Sequence, residues 1–244
     1  MKTAIIIQAR MGSDRLPGKV MKKILGKPLL EYHLERLSHC RLCDDIVIAT
    51  TQKKADDVIE EYCLNKGVKI FRGSEDDVLE RYYSAAAEIQ ADIIVRATAD
   101  CPVIDPLIVD REIEFYLNNQ DKYDYVSTLL EPSYPRGITA EVFPFWVLEK
   151  SYKEAETPSQ HEHVTPYIYQ NPQLFRLGNM RHETDLSHHR WTVDQEEDFT
   201  LISKIITALY PANPYFTMND ILELLREHPD WVLINAHVQQ KTVL

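Results

Sequence analysis

A chain of 244 residues, 44% of them hydrophobic, can bury a sizeable core as one large α/β unit, and that composition excludes an intrinsically disordered protein. Lys and Arg number 27 against 38 Asp and Glu, a formal net charge of -11, which argues against a broad nucleic-acid-binding face and against a basic membrane-surface patch. No apolar run approaches the ~18 residues that a membrane span needs, and the run after Met1 is too short for a secretion signal, so the expectation is a cytoplasmic protein without membrane or nucleic-acid partners.

Along the chain, Ala4 to Gln8 is a short β-branched run without alternation, the pattern of a strand buried on both faces. A glycine-bearing loop follows from Ala9 to Gly18. Leu30, Leu34 and Leu37 then share one stripe of a helix over Leu29 to Leu37. The pattern predicts further strands at 45–50, 68–71, 92–97 and 123–127, with helices at 55–66, 78–90 and 106–118 between them. Gly67 stands where a helix C-cap belongs, and Asp105-Pro106 marks a helix start. Alternating strands and helices imply a mostly parallel sheet with helices on both faces, in a Rossmann-like layout.

From about Leu130 the rhythm breaks. Six prolines between Pro132 and Pro172 interrupt a stretch rich in Tyr and His, which reads as an insertion over residues 130–189 within one 1–244 domain. The insertion is a candidate for an acceptor pocket or a dimer contact, which leaves a homodimer open. Arg190 to Val193 reads as a returning strand, Glu196 to Tyr210 as a helix, and Thr217 as the cap of a last helix ending at Glu227.

Ligands of such sheets sit at the carboxyl ends of the strands. The loop after Gln8 carries Gly12 and Gly18, which allow close backbone approach, and Arg10, Arg15 and Lys19, three cations in about ten residues. Backbone N–H groups, forked guanidinium donors and a Lys point charge are what a triphosphate requires. The loop lacks the Gly-Lys-[Ser/Thr] ending of a Walker A motif and the G-x-G-x-x-G of an NAD site. Asp100, in Thr98-Ala99-Asp100-Cys101-Pro102 after a buried strand, suits a magnesium ion that takes a few carboxylates plus phosphates and water. Asp105 reads as a helix cap instead. Asp194 stands before a helix with Glu197 three residues on, the spacing of a capping box. Cys40 and Cys43 form a C-x-x-C without the second pair a zinc site needs, and read as reduced thiols at a helix end.

The segment Gln8-Ala9-Arg10-Met11-Gly12-Ser13-Asp14-Arg15-Leu16-Pro17-Gly18-Lys19, followed by Gly26-Lys27-Pro28, resembles the signature of the cytidylyltransferases for acidic sugars. Within that family the likeness is strongest to the spore coat polysaccharide group. It continues through Arg72-Gly73, Arg96 to Pro102, Tyr134-Pro135-Arg136-Gly137, Glu162 to Tyr169 and Arg190-Trp191-Thr192-Val193-Asp194, nearly the whole chain.

The resemblance implies a nucleotidyltransferase fold of the GT-A-like kind and an enzyme that uses CTP, a sugar and Mg²⁺ (or Mn²⁺). It implies Asp100 and Asp194 as metal ligands and Arg10, Arg15, Lys19 and Asp100 as the catalytic set. Nucleotide contacts fall at Ala9, Arg10, Met11, Gly12, Ser13, Arg15, Lys19, Arg72, Gly73, Thr98 and Ala99. Arg136, Glu141 and His163 fall to the acceptor, with Arg136 suited to a sugar carboxylate. In this pattern an acidic residue commonly stands two positions after Gly137, where this chain has Thr139. Two other readings stay open: a GT-A-like glycosyltransferase that consumes a nucleotide-sugar, and a silent nucleotide-binding subunit.

Overall fold

The structure is a computed structural model and describes residues 1–240. A seven-stranded sheet runs through it in the order β5-β4-β1-β6-β8-β7-β9. The first strand, β1 (Thr3–Gln8), lies between β4 (Asp45–Thr51) and β6 (Ile93–Thr98) and pairs in parallel with both. β4 carries β5 (Lys69–Gly73) in parallel on its other side. A two-stranded ribbon, β2 (Lys23–Ile24) with β3 (Lys27–Pro28), stands outside the main sheet.

Successive side chains of β1 point to opposite faces, and both faces are covered. Ile5 and Ile7 pack with Leu30, Leu34 and Leu37 of α1 (Leu29–Leu37) and Ile59 of α2 (Asp57–Asn65). Ala4 and Ile6 face the other way, onto Leu79, Tyr82 and Ala85 of α3 (Val78–Glu88). Burial on both sides is why β1 reads as a continuous apolar run rather than an alternating one.

Asp105 caps α4 (Pro106–Leu117) through the Leu107 N–H, as its place before Pro106 predicts, and its second oxygen accepts from Met218 N. Beyond α4 the topology departs from the simple alternation. β7 (Tyr125–Ser127), three residues long, does not sit beside β6. β8 (Glu141–Pro144) wedges between them, antiparallel to both, and β9 (Leu177–Asn179) adds to the edge of β7 in parallel. The 130–189 stretch therefore contributes two strands to the main sheet as well as three helices, α5 (Phe145–Glu154), α6 (Pro158–His163) and α7 (Pro166–Tyr169).

Residues 190–193 do not form the expected strand. Trp191 and Val193 are wholly buried in a separate core cluster with α8 (Glu196–Leu209) and α9 (Met218–Glu227), which imitates strand patterning. Their backbone instead bonds to loops, Trp191 N to Arg136 O and Val193 N to Asp100 O, with one isolated bridge between Arg136 and Arg190. Among the described residues, no helix is long and apolar enough to cross a membrane.

Candidate active site

The chain leaves β1 for β4 and β5 on one side of the sheet, and returns to β6 on the other. A crevice opens where the connections diverge, beyond the carboxyl ends of the strands. A cleft of about 820 Å³ lies there, lined by the loop after β1, the end of β6, the 136–141 segment, Glu162, His163, Thr165, Tyr169 and Asp194.

Ala9 holds to β4 through its N–H on Ala49 O, and Met11 N donates to Asp56 Oδ1. Gly18 N closes the loop on Met11 O, and Gly18 adopts φ 67°, the left-handed region that costs glycine nothing. The chain then tightens into a single 3-10 turn, Lys19–Met21. This sends Lys19 inward. Its Nζ donates to Asp100 Oδ2 at 2.7 Å, to Asp194 Oδ1 at 2.8 Å and to Val193 O at 2.8 Å. The two aspartates, 94 positions apart in the chain, thus meet across one ammonium group.

Arg15 Nη2 reaches Asp194 Oδ1 at 2.9 Å, and Arg190 Nη2 takes Asp194 Oδ2 at 2.8 Å. Asp100 Oδ1 accepts from Thr98 Oγ1 at 2.6 Å. Burial alone would raise the Asp100 pKa, but the charge and hydrogen bond of Lys19 outweigh it and hold the carboxyl far below the usual carboxylate range. Burial likewise works against the Lys19 charge, and the same two carboxylates outweigh it and raise the lysine.

Asp198 is fully buried and turns inward. It takes Arg190 Nε at 2.9 Å and the backbone N–H groups of Asp194 and Gln195. The capping box here is Gln195 with Asp198, not Asp194 with Glu197. That leaves the Asp194 side chain to the cleft.

Two hard carboxylates facing one another, beside a loop built for phosphate, fit a Mg²⁺ or Mn²⁺ ion that fills its remaining positions with phosphate oxygens and water. Among the described residues, no group of three or more His, Cys, Asp or Glu forms an all-protein metal cage.

Arg10, Gly12, Ser13, Thr98 and Ala99 line the cleft, and so do Arg136, Glu141 and His163. Among the described residues, Arg10 and Arg136 join no ion pair. Burial first, then the nearby Arg190 charge, lower the Arg136 pKa. Glu141 is tied to Arg96 and to the Tyr125 hydroxyl.

Three expected nucleotide contacts do not line the cleft: Met11, Arg72 and Gly73. The Arg72 guanidinium is consumed locally by Thr51 O, Lys53 O, Asp57 and Glu60, so it fastens the β4–α2 connection instead. Gly73 is packed against Phe71 and Arg81, where a Cβ would lie 2.9 Å from the Phe71 ring. Thr139 hydrogen-bonds Thr128 at 2.9 Å. Cys40 and Cys43 are free thiols.

Arg81, Arg96, Tyr125 and Tyr169 also line the cleft, and sequence reasoning gave them no role. Arg96 alone carried a signal, a charge inside an otherwise apolar strand.

A cytidylyltransferase family model matches residues 4–227. The chain belongs to the cytidylyltransferase family. It is 33% identical over 235 residues to the spore coat polysaccharide biosynthesis protein SpsF of Bacillus subtilis, covering 92% of this chain and 94% of that protein. An uncharacterized protein of Methanocaldococcus jannaschii is 41% identical over 244 residues, 99% of this chain and 98% of that one. A solved cytidylyltransferase structure from Leptospira borgpetersenii superposes with a TM-score of 0.91 at 34% identity, covering 99% of both chains. As a cytidylyltransferase the chain is a nucleotidyltransferase enzyme, and its sheet is that of the nucleotidyltransferase fold. The Lys19 and Asp100 site lies inside the matched region of that family model.

Proposed function

We propose that this cytidylyltransferase joins CMP from CTP to an acidic sugar, releases pyrophosphate, and serves surface or spore coat polysaccharide synthesis. The observation that carries the reading is the convergence of Arg15 and Lys19 on Asp100 and Asp194 at the switch point of the sheet. In this reading the acceptor hydroxyl oxygen forms a bond to the α-phosphorus of CTP, the bond from that phosphorus to the pyrophosphate oxygen breaks, and the hydroxyl proton leaves to solvent. Charge accumulates on phosphate oxygens, so the protein contributes positioning and electrostatic stabilisation.

Arg10, Arg15 and Lys19 neutralise the triphosphate. Gly12, Ser13, Thr98 and Ala99 form the nucleotide edge. Asp100 and Asp194 would hold the divalent ion, which when bound neutralises phosphate charge and polarises the reacting oxygens. Arg136, with a partly buried guanidinium that joins no ion pair among the described residues, suits the sugar carboxylate. Glu141 and His163 face the rest of the acceptor. Free thiols throughout suit a reducing cytoplasm.

The test is pyrophosphate release from CTP, UTP, GTP and ATP against a panel of acidic sugars, with Mg²⁺ or Mn²⁺. Release with CTP and one sugar class supports the reading. Release of a nucleoside diphosphate from a nucleotide-sugar, without pyrophosphate, overturns it in favour of a glycosyltransferase.

A further inference from the structure

Val164 sits between His163 and Thr165, which both line the cleft, and its backbone is unusual. Its φ is 72° and its ψ is -55°, and Thr165 N donates to His163 O at 2.9 Å. Together these make a γ-turn of the positive-φ kind, a conformation that is rare and strained for any residue with a Cβ and worst for a β-branched one. Leu25 and Gln90 also have positive φ but lie exposed, whereas Val164 is wholly buried in the apolar cluster that includes side chains of α3, β8, α5 and α7.

The turn is held from both sides. Upstream, the Thr157–Gln160 capping box fixes the start of α6. His161, in its last turn, contacts Asp77 Oδ2 through Nδ1 at 2.8 Å and Ala155 O through Nε2 at 3.2 Å. Asp77 in turn caps α3, whose Val78 and Arg81 line the same cleft. Downstream, Pro166 starts α7, whose Ile168 is buried. Local sequence gives no reason for positive φ at a valine, so the surrounding fold must impose it, and such strain persists where geometry is over-determined.

We propose that Val164 is a positioning residue for the acceptor sugar: its buried side chain pins the γ-turn, and the turn directs His163 and Thr165 into the cleft. This rests on the cleft being the acceptor site of the cytidylyl transfer. If the valine relaxed to negative φ, the peptide on either side would rotate and carry both side chains off their present directions. The nucleotide edge, formed by the loop after β1 and the end of β6, would be unaffected.

Two variants separate this from a merely structural role. Val164→Ala removes the anchor but keeps the Cβ that positive φ penalises. Val164→Gly removes the anchor and the penalty together. Steady-state kinetics of the full chain should show the Val164→Ala acceptor KM raised about tenfold and the CTP KM within about twofold, with the acceptor KM of Val164→Gly raised no more than about threefold. A structural role gives the reverse order, since glycine is ordinarily the more damaging replacement, and moves both KM values together. An acceptor KM as high in Val164→Gly as in Val164→Ala overturns the proposal, and so does an equal rise in the CTP KM.

Hydrogen exchange over residues 161–169 gives a readout that needs no sugar. Faster exchange in Val164→Ala, with Val164→Gly close to wild type, supports the proposal, and equal acceleration in both overturns it. Failure of the wild type to use any sugar would instead count against the acceptor reading alone. If Val164→Ala is insoluble, Val164→Thr, the same shape with a hydroxyl in an apolar site, takes its place against Val164→Gly. A glycine variant that fails to fold where the alanine variant folds also overturns the proposal.

Discussion

Lys19 is surrounded by three oxygens, two of them carboxylate, and buried enough that little water shares its charge. Replacing it with methionine would leave Asp100 and Asp194 facing each other without the cation that keeps Asp100 ionised. Two carboxylates in that position hold on to one proton. The expected outcome for Lys19→Met is a loss of turnover of about a hundredfold or more, together with lower stability at pH 7 that partly recovers as pH falls and that proton is taken up. The wild type has the opposite slope at low pH. Asp100 has a folded pKa depressed below its unfolded value, so its contribution is present above the unfolded pKa and is lost as pH falls through the folded one. Denaturant titrations of both proteins from pH 7 downward, with pyrophosphate assays at pH 7, check this. At this scale the sequence was informative about residue types and silent about partners. Arg15, Lys19, Asp100 and Asp194 could be chosen by chemistry and resemblance. Arg72 looked equally cationic, and only the fold reveals that Asp57 and Glu60 consume its charge.

His33 shows how an element supports the site from behind. It lies in the buried stripe of α1, and its Nδ1 contacts the Cys101 carbonyl at 2.8 Å, directly under the Asp100 loop. Burial is the main reason its pKa is pushed down to about 4, so the folded protein keeps it neutral and the unfolded chain protonates first. Stability should therefore be fully present above pH ~6.5 and fall between pH ~6.5 and ~4, by up to about 3 kcal/mol at full effect. His33→Asn, whose amide can take the Nδ1 position and keep a donor for the Cys101 carbonyl without titrating, should flatten that stretch of the profile. Urea unfolding at pH 7 and pH 4.5 measures the difference.

A second element-scale test is Gly137→Ala. Gly137 has φ 100°, and a Cβ there would lie 2.7 Å from Thr192 N and Trp191 C, both backbone atoms that cannot swing away. The variant is expected to lose about 3 kcal/mol or more and to displace the neighbouring Arg136, seen as a lower urea midpoint and a raised acceptor KM. Short-range patterns made the helices legible, since their caps and apolar stripes are local. The 190–193 stretch misled because alternate burial against a helical cluster looks the same as a strand in one dimension, and β8 was hidden because its partners, β6 and β7, lie elsewhere in the chain.

Across the whole molecule, Lys19 follows β1, Asp100 follows β6 and Asp194 precedes α8, so a bound triphosphate would tie together segments that otherwise meet through a few hydrogen bonds and ion pairs. The alternation of strands and helices made the parallel half of the sheet legible, and with it the switch point between β1 and β6. The antiparallel half was not legible, because it depends on long-range pairing through a proline-interrupted stretch. Stability should follow mass action. CTP with MgCl₂ at about a hundred times its dissociation constant should add about 2.7 kcal/mol to the folded state, a rise in Tm of roughly 5–10 °C for a chain this size. Chelation of the metal with EDTA should remove most of that shift if the ion bridges Asp100, Asp194 and the phosphates. Asp194→Asn should lose the metal-dependent part while Arg10 and Arg15 retain a weaker, metal-independent response to CTP. A melting curve in which EDTA leaves the full CTP shift in place would assign the affinity to the cationic loop alone and take the two aspartates out of metal binding.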